Sequence, residues 1–332
     1  MALFNSTGYP YYLTVPQGDY TIKVDSKPIY AGRAYPFPGQ STINLDVSAI
    51  VSNAIPCPDF SAVFSQNNTN IGGLLHGVSV QTIEKLYALN YAWNYDGGVY
   101  SGIKENQCLN DYITPYMYSN QYIPYNVLTY QDMTFDAVVD LTSTTLNLVS
   151  FEALGNKSSL DIRTMAFKNT FSTLVDGVET YLSRDGSEIN GSRLKIKSCV
   201  PTNTYTLYYV NMKGALSFVH CDCKNVTKNN VTRSSYSHEN QYDKPWAFGS
   251  TNYLNQVSRT WTLNTNFLND LQSTKIQELF KSPRVWIYDY TTQLATAVTV
   301  TDTSVEVKNR LNNHLFNYTI NVKESQTYDI LG

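Results

Sequence analysis

Two dense apolar runs, Tyr205–Val210 and Leu216–Cys221, stand on either side of Asn211-Met212-Lys213-Gly214-Ala215. Short apolar runs of this kind, split by a polar link containing Gly, read as two strands of a hairpin. The same alternation opens the chain. Tyr20, Ile22 and Val24 project to one side of a strand, and Tyr11, Leu13 and Val15 form a second period-two set. Pro16-Gln17-Gly18-Asp19 between them predicts a second hairpin. Composition agrees with strands rather than exposed helices: 27 Tyr, and only 15% charged residues, against about 25% in an average domain. With 42% hydrophobic residues over 332 positions, the chain has enough apolar content for a sizeable core.

The fold class expected is mainly β with a few short helices, arranged as β-sandwich or meander domains. Two domains are expected, residues 1–141 and 142–332, both β-rich. Asp46 is positioned to cap a short helix carrying Val47, Ile50, Val51 and Ala54. Ser65 to Gly73 reads as a polar surface loop and Lys85 to Tyr95 as a strand. Asn120 to Leu141, Leu146 to Leu154 and Leu194 to Cys199 supply more strands. Lys224 to Lys244 reads as a long polar loop, mobile or ordered by a partner. Near the C-terminus Trp261-Thr262-Leu263 is a short strand. Asn264 or Thr265 then caps a helix, near 265–281, whose stripe is Phe267, Leu268, Leu271, Ile276, Leu279 and Phe280. After Pro283, the segments Val285–Tyr288, Ala295–Val300, Ser304–Val307 and Leu315–Val322 complete a meander on which that amphipathic helix packs. Leu271 is expected to be a buried anchor, with Asn269 and Gln272 off the stripe.

Few residues point to chemistry. His220-Cys221-Asp222-Cys223, with Cys199, His238 and Glu239, offers metal-ligand types, but alternation in a strand separates His220 and Asp222 from Cys221 and Cys223. Buried strand thiols are the reading preferred. Asp132, Asp136 and Asp140 would share a face only on a helix, and Tyr130, Phe135, Val138 and Val139 favour a strand. His76, His220, His238 and His314 lie in no triad context, and neither a nucleophile elbow nor a phosphate-cradling glycine loop occurs. No catalytic, cofactor-binding or metal residues are therefore expected, and no cofactor. A formal net charge of −3 argues against direct nucleic-acid recognition. Residues 1–18 lack a basic segment followed by an apolar run, and no stretch reaches the ~18 apolar residues of a membrane span. Synthesis in a cytoplasm without membrane insertion is expected, with the cysteines as free thiols. The aromatic rows Tyr87, Tyr91, Trp93, Tyr95 and Tyr112, Tyr116, Tyr118, Tyr122, Tyr125 fit sugar stacking, an assembly interface or core packing.

The C-terminal text, from Thr260 to Tyr290, Ala297 to Asn309 and Leu315 to Gln326, resembles virion proteins of tailed phages of gut Bacteroidota, in the style of crAss-like podoviruses. The recurring elements are Trp261 and Leu263, Gln272 and Ser273, Asp289, and the terminal strand Tyr318 to Gln326. The hairpin text from Ser198 to Phe218 is similar to a segment of the same proteins, with Ala215-Leu216 where Trp-Asp is common there. Tyr30 to Gly39 and the helix after Asp46 add an N-terminal echo. The resemblance implies a non-enzymatic structural component of the virion, assembled in the bacterial host cytoplasm. Its expected role is a tail ring, hub or adaptor subunit; the expected partners are identical subunits in a ring and other tail, portal-side or fibre proteins. A capsid-associated position and a glycan-binding or glycan-cleaving tail component are the alternatives.

Overall fold

The computed structural model describes residues 4–6, 12–55, 57–80, 86–89, 105–141, 144–155, 160–170, 176–237, 250–302, 316–326 and 328–331. Among the described residues strands far outnumber helices, 56% against 9%, as the alternating pattern requires. Two compact units emerge: residues 1–200 with 209–218, and residues 201–208 with 219–332. The boundary expected at 141/142 instead falls in the link between two strands that pair directly, Phe135–Asp140 and Thr145–Phe151.

In the first unit the chain runs through β1 (Phe4–Ser6), β2 (Tyr12–Pro16), β3 (Gly18–Val24), β4 (Lys27–Ala34) and β5 (Thr42–Asp46). Helix α1 (Ser48–Ala54), a 3-10 turn and strands β6 (Asn68–Ile71), β7 (Leu75–Val80) and β8 (Leu86–Leu89) follow. Next come β9 (Tyr116–Tyr118), β10 (Tyr122–Tyr130), β11 (Phe135–Asp140), β12 (Thr145–Phe151) and β13 (Leu160–Lys168), then β14 (Glu179–Arg184), β15 (Ser187–Glu188) and β16 (Leu194–Lys197). Among the described residues these form four sheets, ordered β1-β8-β7-β3-β4, β2-β5, β10-β13-β6 and β12-β11-β14-β16-β9, with β15 also on β14.

The predicted period-two sets hold for Leu13 and Val15 and for Tyr20, Ile22 and Val24, with Tyr11 outside the described residues, but their pairing differs. Leu13 and Val15 are buried with Tyr20, Ile22 and Val24 in one cluster that also takes Val47, Val51 and Ile55 from around α1. Yet β2 pairs with β5 while β3 pairs with β4 and β7, so Pro16–Asp19 joins two sheets rather than closing a hairpin. The hairpin turn lies after β3, where Asp25 and Ser26 both take positive φ, 47° and 69°, the left-handed pair that a two-residue turn requires. Asp46 does not cap α1 directly. Val47 holds the cap position, and Asp46 Oδ1 accepts from Ser48 N at 3.0 Å. The polar stretch read as a loop over 65–73 contains β6, held by pairing with β13.

The second unit is built on one sheet. Its strands are β17 (Tyr205–Val210), β18 (Leu216–Cys221), β19 (Val226–Ser237), β20 (Ser250–Asn264), β21 (Val285–Asp289), β22 (Leu294–Val300), β23 (Thr319–Glu324) and β24 (Tyr328–Leu331). Their order is β18-β17-β21-β22-β23-β20-β19, with β24 also on β20. The tip of the predicted β17–β18 hairpin, 209–218, is counted with the first unit and its base with the second.

Two expectations for this unit are corrected. The polar loop over 224–244 is a strand from Val226 to Ser237, paired along its length with β20. The remainder, 238–249, lies outside the described residues. Alternation was invisible because nearly every residue of β19 is exposed, so neither face needs apolar side chains; Val, Thr and Tyr still favour the extended backbone. Accordingly Trp261-Thr262-Leu263 is the end of a fifteen-residue strand.

Helix α2 (Asp270–Lys281) begins later than predicted. Asn269 and Gln272 form a reciprocal capping box, with Gln272 N donating to Asn269 Oδ1 and Asn269 N to Gln272 Oε1, both at 2.9 Å. Leu268 is buried ahead of the helix, bridging to Phe316. Ile276 and Leu279 are buried, whereas Phe267 is exposed and Leu271 is 67% exposed. Leu271 is therefore no core anchor. The meander β21-β22-β23 is present as expected, with β23 starting at Thr319; Ser304–Val307 lies outside the described residues. Among the described residues no helix is long and apolar enough to cross a membrane.

Candidate functional site

The structure scatters the residues that the sequence offered for chemistry. His220 is fully buried, its Nδ1 sharing a hydrogen bond with Thr206 Oγ1 at 2.9 Å, and that hydroxyl also meets Tyr290 Oη at 2.8 Å. Cys221 is sealed in β18, and burial pushes its thiol far above the usual range, with Asp222 and Cys223 adding to the shift. Cys199 and Cys223 are exposed. His238 and Glu239 lie outside the described residues. Among the described residues no three His, Cys, Asp or Glu side chains converge as a metal would need.

The three aspartates are likewise apart in role. Asp132 is exposed in the turn before β11. Asp136 accepts from Asn147 Nδ2 at 3.0 Å, and Asp140 lies 3.6 Å from Arg193, which also grips Glu179 and Glu188. Four positions along a strand place Asp136 and Asp140 about 13 Å apart, beyond the roughly 9.5 Å that paired glycosidase carboxylates span. The second Tyr row serves packing. Tyr112, Tyr118, Tyr122 and Tyr125 are buried, with Tyr112 on Phe218 at 4.9 Å and Tyr125 on Phe167 at 6.3 Å. Of the first row, Tyr91, Trp93 and Tyr95 lie outside the described residues, as does the side chain of Tyr87.

A depression in the first unit gathers Asp25, Gln131 and Asp161, but its carboxylates are committed to the backbone. Asp161 accepts from Leu75 N at 3.1 Å, Ile162 N at 2.8 Å, Gln131 Nε2 at 2.8 Å and Gly73 N. Asp25 accepts from Gly77 N at 2.8 Å and pairs with His76 Nδ1 at 2.5 Å. A Cβ at residue 72 would stand 2.6 Å from Asp161 Oδ2, so Gly72 is there for close approach. These groups tie loops together.

Two features of the second unit stay open to solvent. One is the β19–β20 ribbon, which carries Val226, Val231, Tyr236 and Tyr253 exposed. Among the described residues β19 pairs on one side only, and over twelve residues it has no Pro and no acid, only Lys228 and Arg233 as charges. A long unprotected edge of this kind is a template for another strand.

The other feature is a groove. Tyr205 Oη of β17 and Thr227 Oγ1 of β19 share a hydrogen bond at 3.4 Å, and Asn203 and Asn225 exchange amide bonds at 3.0 and 2.8 Å. The sheet thus curls until its last strand returns to its second. The curl encloses a cavity of about 450 Å³. Because side chains two apart on a strand share a face, each strand contributes a pair: Thr227 and Asn229 from β19, Arg259 and Trp261 from β20, Ile287 and Asp289 from β21. Leu294 and Thr296 of β22 follow the same rule, and Tyr205 and Thr292 complete the lining. The Arg259 guanidinium lies 5.7 Å from the Trp261 ring centre. Sequence reasoning missed these residues, although the alternation of Arg259 with Trp261 and of Ile287 with Asp289 was available to find them; what it lacked was the curl that joins β17 to β19.

Comparison of the chain with protein-family models, with curated proteins and with solved structures yields no match.

Proposed function

We propose that this chain is a non-enzymatic structural subunit of a phage particle, most simply a ring, hub or adaptor component of the tail that joins identical copies to one another and to neighbouring tail or fibre proteins. The single observation that carries the reading is the β19–β20 ribbon: an exposed pair of long strands with an edge that is unprotected by Pro or acidic residues. Such an edge accepts a strand from a neighbour, the main chain supplying affinity and alternate side chains the fit. The sequence resemblance supplies the phage setting. Low charge and abundant Tyr suit interfaces, where Lys and Glu are depleted and aromatics enriched.

A density map of the assembled particle tests this. Each copy is expected to meet an identical copy through two different surfaces, closing a ring, with β19 in one of them and at least ~1,000 Å² buried per interface. Copies standing singly, or copies with the ribbon facing solvent all round, overturn it.

A further inference from the structure

We propose that the groove inside the curled sheet is a binding site for a saccharide that carries a carboxylate, as a hexuronate or sialic-type sugar does. The site is independent of the assembly reading: it lies on the curl rather than on the outer edge of β19, and it uses none of the Tyr rows.

The argument rests on three groups. Arg259 is exposed on the rim of the groove while Trp261 is buried, and among the described residues the Arg259 guanidinium has no hydrogen-bond or ion-pair partner, only the Trp261 ring beneath it. A guanidinium stacked on an indole is held flat with its donor fork pre-set, the geometry that takes a carboxylate through two parallel bonds. Asp289 lines the same cavity. One of its oxygens accepts from Thr291 N at 2.8 Å, and the other has no partner among the described residues. Leu294, 65% exposed, and Tyr205 give apolar surface beside them, suited to the C–H face of a sugar ring.

Taken together these groups select the ligand class. A purely cationic ligand meets Arg259, and a dianionic phosphate meets Asp289. A molecule with one carboxylate and several hydroxyls satisfies both, because Asp289 accepts from hydroxyls while Arg259 holds the acid. Asn229, Thr227 and Thr296 add further polar partners for hydroxyls. At about 450 Å³ the cavity falls within the roughly 300–1,000 Å³ of small-molecule sites.

Titration calorimetry of the full chain tests the site against a panel of hexuronate and sialylated oligosaccharides, each with its methyl ester as a neutral isostere, and against acetate. At least one acidic member is expected to bind with a Kd below about 1 mM, its methyl ester at least ~10-fold more weakly. Arg259→Gln should weaken that member at least ~10-fold and Asp289→Asn several-fold, while Arg233→Gln, which removes a cation from β19 outside the groove, should change nothing. Asp289→Asn serves as the independent variant if Arg259→Gln lowers the melting temperature. The proposal fails if no acidic member binds at 10-fold that concentration, if ester and acid bind equally, if acetate binds as tightly as the sugars, or if Arg233→Gln matches Arg259→Gln.

Discussion

Asn126, in the middle of β10, is fully buried and has its polar atoms engaged. Its N–H donates to Asn110 Oδ1 at 2.6 Å and its Nδ2 to Thr164 Oγ1 at 2.6 Å, while its Oδ1 accepts from Asn110 Nδ2 and from Leu216 N, both at 3.1 Å. Asn211 repeats the pattern, donating to Leu109 O and Ser217 Oγ at 3.0 Å and accepting from Lys213 N and Ala215 N at 2.9 Å. Removing one member strands the others in a solvent-inaccessible interior, and each stranded group costs about 1–3 kcal/mol. Asn126→Leu should therefore destabilise by about 2–5 kcal/mol in urea unfolding, whereas Asn229→Ala, on an exposed strand, should stay within about 0.5 kcal/mol. Equal losses at both sites would contradict the network. Nothing local marked Asn126, because its partners stand at 110, 164 and 216. Arg163 is a similar case. It is fully buried in β13, donating to Asn70 Oδ1 at 3.0 Å, to Glu152 O at 2.7 Å and to Met133 O. Burial draws its guanidinium down to about 10, which leaves it charged at neutral pH.

At the scale of elements, the helix shows how a correct assignment can misplace its parts. Periodicity locates α2 and finds Ile276 and Leu279, but the stripe takes in Phe267 and Leu268, which precede the helix, and Leu271, which lies five positions before Ile276 and so well round the helix from it, on the exposed side. The start signal is legible in Asn269-Asp270-Leu271-Gln272, a capping box in plain sequence. Ile276→Ala should cost about 2–5 kcal/mol, as expected for emptying a buried site. Asn269→Ala should cost about 1 kcal/mol through the lost cap, and Leu271→Ala less than about 0.5 kcal/mol. This reverses the ranking expected from the stripe, and thermal or urea unfolding of the three variants decides between them. β17 and β18 are legible to the residue because both are predominantly apolar, with only Thr206, Ser217 and His220 polar, and the link between them is polar. β19 was missed for the opposite reason: a strand exposed on both faces carries no burial pattern, only β propensity.

For the whole molecule, charge and edge act together. A formal net charge of −3 and an isoelectric point near 5.8 leave little repulsion to hold copies apart once the pH falls toward 6. Light scattering of the purified chain should rise at least ~2-fold between pH 8 and pH 6, and Val231→Glu on the open edge should suppress the rise. Scattering indifferent to both would count against the edge as a point of association. The division into units was the least legible property, because composition changes little along the chain and the division is made by a hairpin whose tip and base belong to different units. That hairpin has a consequence for biosynthesis. Asn126 waits for a partner 90 residues further along, Leu216, and at about 5–20 residues per second the ribosome delivers it several seconds later. Until then Asn126 Oδ1 lacks one of its two donors and Asn110 Nδ2 lacks the Leu216 carbonyl, so the first unit should not complete its closure as each of its strands appears, but in one late step once residues 209–218 have left the exit tunnel. A fragment ending at Val200 would be held permanently at the stage before that step.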